Sequence, residues 1–211
     1  IGLSPAPASL LLSPFLTHMA ERHPQVRVGV ELGATAALLD MLRAERVDAM
    51  VCDARMLYDA GDLETRALPP LRAGLVCRKG HPILAHRRPG IEQVRRYPVA
   101  SSTLSPEVSL RLAETLGPGG APEQMVTHRC ENLDAMVELT LHSDTLLLGV
   151  ICVTRRQQEA GQLVEVPIPP DPQRQGHYAL ARLKGRTPLT AQDALYEFTR
   201  QCWDGFASFR A

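Results

Sequence analysis

Apolar positions recur along this chain in two rhythms, one of period two and one of helical period, and the rhythms take turns. Residues 1–3 read as a short strand and Ser4-Pro5-Ala6-Pro7-Ala8-Ser9 as a turn. Leu11, Phe15, Leu16, Met19 and Ala20 then recur at helical spacing. Pro14 suits that helix only in its first turn or two. His23-Pro24 closes it, because a residue before proline avoids the α region. Residues 26–32 alternate strictly, a half-buried strand broken by Gly33. Leu38, Leu39 and Leu42 form a helical stripe reaching Arg46, and residues 47–52 are an apolar run of the kind found in buried parallel strands. The order β-α-β-α-β predicts a parallel sheet with right-handed crossovers. Residues 63–68, closed by Pro69-Pro70, and residues 74–78 are further strands. The loop Lys79-Gly80-His81-Pro82 follows, then a charged connection over 85–98 with one short helix.

A second series begins at the short strand Val99-Ala100. Ser105-Pro106 starts a helix, serine as cap and proline in the first helical position, and Gly117 ends it. Its apolar face carries Val108, Leu112, Ala113 and Leu116. After the linker 118–122 comes a strand over 125–129. Asn132 caps a helix that buries Leu133, Met136, Val137 and Thr140, and residues 146–151 form an apolar strand. Residues 153–160 are helical and 161–166 a strand. The proline-rich stretch 167–172 is a stiff connection, and 177–183 is a last strand. Thr190-Ala191-Gln192-Asp193 resembles a capping box before a helix carrying Leu195, Phe198 and Cys202. Two β/α series with two connections imply two lobes, residues 1–72 with 178–211 and residues 73–177. Two hinged lobes make a cleft, where ligands of open α/β sheets sit.

Composition narrows the functions. Lysine plus arginine and aspartate plus glutamate are 23 each, so the formal net charge is zero. A nucleic-acid binder needs a basic surface to displace counterions from phosphate, so these residues by themselves are not expected to bind DNA. The arginine pairs Arg87-Arg88 and Arg95-Arg96 read as solvated faces. Five cysteines with no CxxC suggest neither a disulfide framework nor a zinc site, and buried reduced thiols point to the cytoplasm. No apolar run approaches the ~18 residues of a membrane span. The opening residues do not read as a signal peptide; they read as a chain that starts directly on a strand.

Several stretches in this order resemble one family. These are the opening Ile-Gly-Leu-Ser with its helix ending at His23-Pro24, and the strand-Gly33-helix after it. Leu42-Arg43-Ala44-Glu45-Arg46-Val47-Asp48, Lys79-Gly80-His81-Pro82, Ser143-Asp144, Gly161-Gln162-Leu163-Val164 and Arg186-Thr187-Pro188-Leu189-Thr190 complete the set. The order resembles that of the effector-binding domains of bacterial LysR-type transcriptional regulators, across nearly the whole chain. The resemblance implies an α/β fold of the type 2 periplasmic-binding-protein kind: two Rossmann-like lobes joined by two crossover strands. It also implies an effector cleft, a homodimer or homotetramer, and DNA contact only through an N-terminal winged helix-turn-helix outside these residues. The polar Ser143-Asp144-Thr145 turn departs from the family's glycine pair, and Asp53 with Arg55 departs from its ligand-binding arginine.

In that architecture the cleft is lined by strand C-termini and helix N-termini, whose free N–H groups favour hydrogen-bonding ligands. The candidate effector-binding residues are Ser4, Pro5, Ala6 and Ser9, then Ala34 and Thr35, then Asp53. In the second lobe they are Ser101, Ser102, Thr103, Glu131 and Asn132. Each hydroxyl or amide also has a bland reading as a helix cap. No cofactor, metal site or catalytic residue is indicated: nucleophile elbow, phosphate loop, dinucleotide glycines and His-Glu metal motif are all absent. A periplasmic solute-binding protein shares the fold. A thiol redox sensor would rest on Cys130 beside His128 and Arg129. A small enzyme of the same fold has no nominated catalytic group.

Overall fold

The computed structural model describes residues 1–57, 60–117, 120–168, 174–186 and 190–209. Residues 118–119 of the expected linker, 169–172 of the stiff connection and 187–189 of the last family-like stretch lie outside them, as does the side chain of Thr190 in the expected capping box. The chain forms two compact units, Ile1–Pro70 with His177–Ala211 (unit 1) and Leu71–Gly176 (unit 2).

Unit 1 opens with β1 (Gly2–Leu3) and α1 (Pro5–Arg22). The expected turn over 4–9 is instead the start of this helix. Ser4 is its N-cap and Pro5 its first residue, where a missing N–H costs no hydrogen bond. Pro14 sits well inside the helix on its exposed side. The helix continues past it because Leu10, Leu11, Phe15 and Met19 bury a continuous stripe. β2 (Glu31–Leu32), α2 (Thr35–Arg43), β3 (Met50–Asp53), a 3₁₀ turn (Ala54–Leu57) and β4 (Leu63–Ala67) follow.

Unit 2 begins with β5 (Leu71–Arg78), so the expected division after residue 72 would cut a strand. A 3₁₀ turn (Pro82–Ala85), α3 (Ile91–Val94), β6 (Val99–Ser101) and α4 (Pro106–Leu116) come next. Gly117 ends α4 at φ +70°, a backbone that glycine adopts without strain. α5 (Pro122–Met125) takes Met125 from the strand expected over 125–129, and only β7 (His128–Arg129) of that strand forms. α6 (Leu133–His142) buries the predicted Leu133, Met136, Val137 and Thr140. β8 (Leu146–Val150), a 3₁₀ turn (Ile151–Thr154), α7 (Arg155–Glu159), β9 (Leu163–Glu165) and β10 (Gln175–Gly176) complete the unit. The chain returns to unit 1 as β11 (Tyr178–Leu183) and α8 (Thr190–Ala207).

Unit 1's sheet has the order β2-β1-β3-β11-β4. β1 is parallel to β2 and β3, while β11 runs antiparallel to β3 and β4. Unit 2's sheet has the order β10-β5-β8-β6-β7, with β9 also on β5; β6 is parallel to β7 and β8, and β5 antiparallel to β8. Each sheet is therefore mixed, a parallel βαβ part extended by antiparallel strands, where the sequence pattern predicts a parallel sheet. One apolar cluster of unit 1 gathers Leu38, Leu42, Met50, Cys52 and Ala181. One of unit 2 gathers Leu75, Cys77, Ile83, Val99, Leu146 and Leu148.

Candidate functional site

The parallel strands decide where chemistry can gather, because their C-terminal ends share one edge of each sheet. In unit 2, Ala100 lies opposite Leu147 and His128, and Ser101 opposite Arg129. Beyond these ends come Ser102, Thr103, Cys130, Glu131 and the 3₁₀ turn at Ile151. Ser101 is wholly buried, and its Oγ has no hydrogen-bond partner among the described residues. Its main-chain oxygen accepts the Cys130 N–H at 3.3 Å, which fixes the two strand ends together. Glu131 is engaged locally: its Oε1 accepts the Thr103 N–H at 3.1 Å and the Thr103 hydroxyl at 2.6 Å. Asn132 Oδ1 accepts the Ala135 N–H at 3.0 Å, so this residue caps α6, as predicted. The exposed Cys130 sulfur accepts the Asn132 N–H at 3.4 Å.

In unit 1 the matching edge holds the other predicted residues. The Ser4 N–H donates to Val51 O at 3.0 Å, and the Gly33 N–H to Leu3 O at 3.4 Å. Those bonds bring the α1 and α2 N-termini to the end of β3. Ser4 is 2% exposed and makes no side-chain cap bond; Ala34 is the N-cap of α2, and Thr35 is buried. Asp53 Oδ1 accepts the Arg55 N–H at 2.9 Å, turning the chain after β3. The predicted residues thus form two groups: Ser4, Pro5, Ala6, Ser9, Ala34, Thr35 and Asp53 in unit 1, and Ser101, Ser102, Thr103, Glu131 and Asn132 in unit 2. The sequence reading left out the end of β8, where Val150 and Ile151 extend the edge of Ser101. The apolar strand 146–151 shows no polar residue at that end, so only its parallel pairing with β6 reveals it.

Other chemistry is sparse. Among the described residues no group of three or more His, Cys, Asp or Glu could hold a metal. Burial pushes the Cys77 and Cys152 thiols up to about 12 and raises those of Cys52 and Cys202. His81, 2% exposed, is structural. Its Nδ1 accepts the Ile83 N–H at 3.0 Å, so the proton sits on Nε2, which donates to Asp144 O at 3.1 Å. Tyr97 packs edge-on against the ring at 4.5 Å.

Two mixed α/β units, each with helix N-termini gathered at the end of its parallel strands, have the layout of a two-unit α/β ligand-binding module. The chain belongs to the LysR substrate binding domain family, which matches residues 1–203. It is 30% identical over 198 residues to the SDS degradation transcriptional activation protein of Pseudomonas sp. (strain ATCC 19151). That match covers 92% of this chain and 63% of the relative, so the chain spans less than two thirds of that protein. Its fold is that of the regulatory domain of NMB2055 (MetR), a LysR family regulator from N. meningitidis: TM-score 0.71 at 16% identity, covering 98% of this chain and 94% of that one. The effector binding domain of QuiR in complex with shikimate is similar at TM-score 0.68 and 16% identity, covering 97% and 95%.

Proposed function

We propose that this chain is the effector-sensing part of a cytoplasmic LysR-type transcriptional regulator, with no catalytic role of its own. In this reading a small polar metabolite binds at the sheet ends. Ser101 and Ser102 are its contacts at the sheet end of unit 2. The observation that carries the reading is the Ser101 hydroxyl, buried and partnerless at the end of three parallel strands. A buried hydroxyl left without a partner costs about 1–3 kcal/mol, a cost removed when a ligand bonds to it. Effector binding shifts the regulator only to the extent that it favours one arrangement over another. DNA contact in the regulator's usual sense belongs to a separate N-terminal domain, and assembly is as a homodimer or homotetramer. Neither the solute-transport nor the redox-sensor reading has support in the relatives.

Titration calorimetry tests the site, with shikimate as the first probe and other hydroxylated carboxylic acids after it. Ser101→Ala and Ser102→Ala should each weaken the best binder about tenfold while leaving the melting temperature unchanged or higher. Unchanged affinity in both variants would place the effector elsewhere.

A further inference from the structure

We infer that residues 86–96 of unit 2 are a docking surface for the phosphate backbone of duplex DNA. The segment reads His-Arg-Arg-Pro-Gly-Ile-Glu-Gln-Val-Arg-Arg, with four arginines against the single acid Glu92. Arg87, Arg88, Arg95 and Arg96 are all exposed. Elsewhere arginines hold carboxylates, as Arg43 does Asp62, Arg78 does Asp144, Arg155 does Glu159 and Arg182 does Glu64. Among the described residues these four guanidiniums have no such partner. Among the described residues single exposed arginines such as Arg27 and Arg46 also lack a carboxylate, but here four such guanidiniums fall within ten residues, a clustering that the zero net charge conceals.

The segment is anchored, so the charges are held in place. Gln93 Oε1 accepts the Gly90 N–H at 2.9 Å, and the Val94 and Arg95 N–H groups donate to Gly90 O and Ile91 O at 3.1 and 2.9 Å. Pro89 and Val94 are buried and Ile91 half-buried. One short helical turn therefore separates the two arginine pairs, a backbone path of about 14 Å at most from Arg88 to Arg95. Each DNA strand carries about four phosphates over that length.

The occupant follows from what the surface lacks. A protein interface needs an apolar or aromatic anchor at its centre. Here the apolar residues point inward, and the exposed large apolar side chains, Leu16, Val26, Leu32 and Leu110, lie outside the segment. Single-stranded nucleic acid needs an aromatic platform, and the neighbouring Tyr97 ring packs on His81 instead. Guanidinium forks with no base-reading or apolar companion suit the regularly spaced oxygens of a phosphate backbone read without regard to sequence.

The test is fluorescence anisotropy of a labelled 24-base-pair duplex of arbitrary sequence with this chain, at 20 to 200 mM NaCl. Four phosphate contacts give a slope of log K against log salt near −3.6, or roughly a 50-fold loss between 50 and 150 mM. Replacing all four arginines with alanine should abolish binding with an unchanged melting temperature. R87A/R88A and R95A/R96A should each halve the slope. R27A/R46A, which removes exposed arginines of unit 1, should bind as the parent does. No binding by the parent at 20 mM salt overturns the inference, as does full binding by the four-alanine chain. Displacement of the duplex by polyglutamate at equal charge also overturns it, in favour of an acidic protein partner.

Discussion

The two units use the same β/α alternation and stabilise it differently. The chain has nine aromatic residues, four Phe, four Tyr and one Trp, and Tyr97 alone falls between residues 71 and 176. Unit 1 closes around rings: Phe15 and Phe198 meet at 5.5 Å, and Trp203 meets Tyr178 at 5.3 Å. Trp203 is wholly buried, and its Nε1 donates to Pro69 O at 2.8 Å. One indole on α8 therefore holds the end of β4 and the start of β11, where the chain leaves and re-enters the unit. Unit 2 has an aliphatic core, and its longest helix at its edge, α4, buries no residue fully and leaves Leu110 62% exposed. Its loops are fixed by polar bonds, above all those of His81. The lesson is that unit 1 adds packed rings to its core, whereas unit 2 ties its loops to an aliphatic core through the hydrogen bonds of His81, so the two should fail under different insults.

The largest effect should come from Trp203→Ala. Emptying a fully buried indole costs about 3–5 kcal/mol, through lost transfer energy and the cavity left behind. Because the loss lies in unit 1, thiol labelling followed by mass spectrometry should show Cys52 becoming reactive at lower urea while Cys77 and Cys152 keep their order of protection. Simultaneous exposure of all three would break the contrast, since it would make the chain one cooperative block. His81→Ala should be smaller, about 2–3 kcal/mol, because it strands the buried Ile83 N–H and removes the donor to Asp144 O. Here Cys77 and Cys152 should be exposed first, and the fluorescence of Trp203, the sole tryptophan, should hold to higher urea. A midpoint unchanged in both signals would remove His81 from the account of unit 2.

Which parts were legible in the sequence follows the reach of the interactions. Asn132 and Ser105 could be named as caps because a cap acts over three residues, and each accepts an N–H group at that separation, from Ala135 and Val108. The buried stripe of α6 was legible because it repeats within ten residues. Residues 26–32 alternate as a strand should, but a strand pairs only as far as its neighbour extends. β1 offers Gly2 and Leu3, so Glu31 and Leu32 alone are paired. The helix over 122–125 hid behind Met125, whose burial fits either period. Trp203 was passed over because its importance lies in Pro69 and Tyr178, far away in sequence. At the site, residue types at strand ends could be listed, yet their availability could not. Glu131 and Thr103 occupy each other, whereas Ser101 is left without a partner, and only three-dimensional neighbours separate those cases.

Acid should produce the smallest effect and sharpen the contrast in a third way. In unit 1, the Arg43 guanidinium donates to Asp62 at 2.9 Å and Arg182 donates to Glu64 at 2.8 Å. Those hydrogen bonds are the main reason both carboxyls are held below the usual carboxylate range. A carboxyl with a depressed folded pKa supplies stability above its unfolded value, and that stability drains away as pH falls through the folded value. The pairs lie in solvent, so the contribution is modest and screened by salt. The urea midpoint read by Trp203 fluorescence should therefore fall between pH 5 and 3. In an R43Q/R182Q chain it should start lower at pH 6 and fall less. Adding 0.5 M NaCl should bring the two profiles together. Profiles that stay parallel from pH 6 to 3 would show that the acid sensitivity of unit 1 has another source.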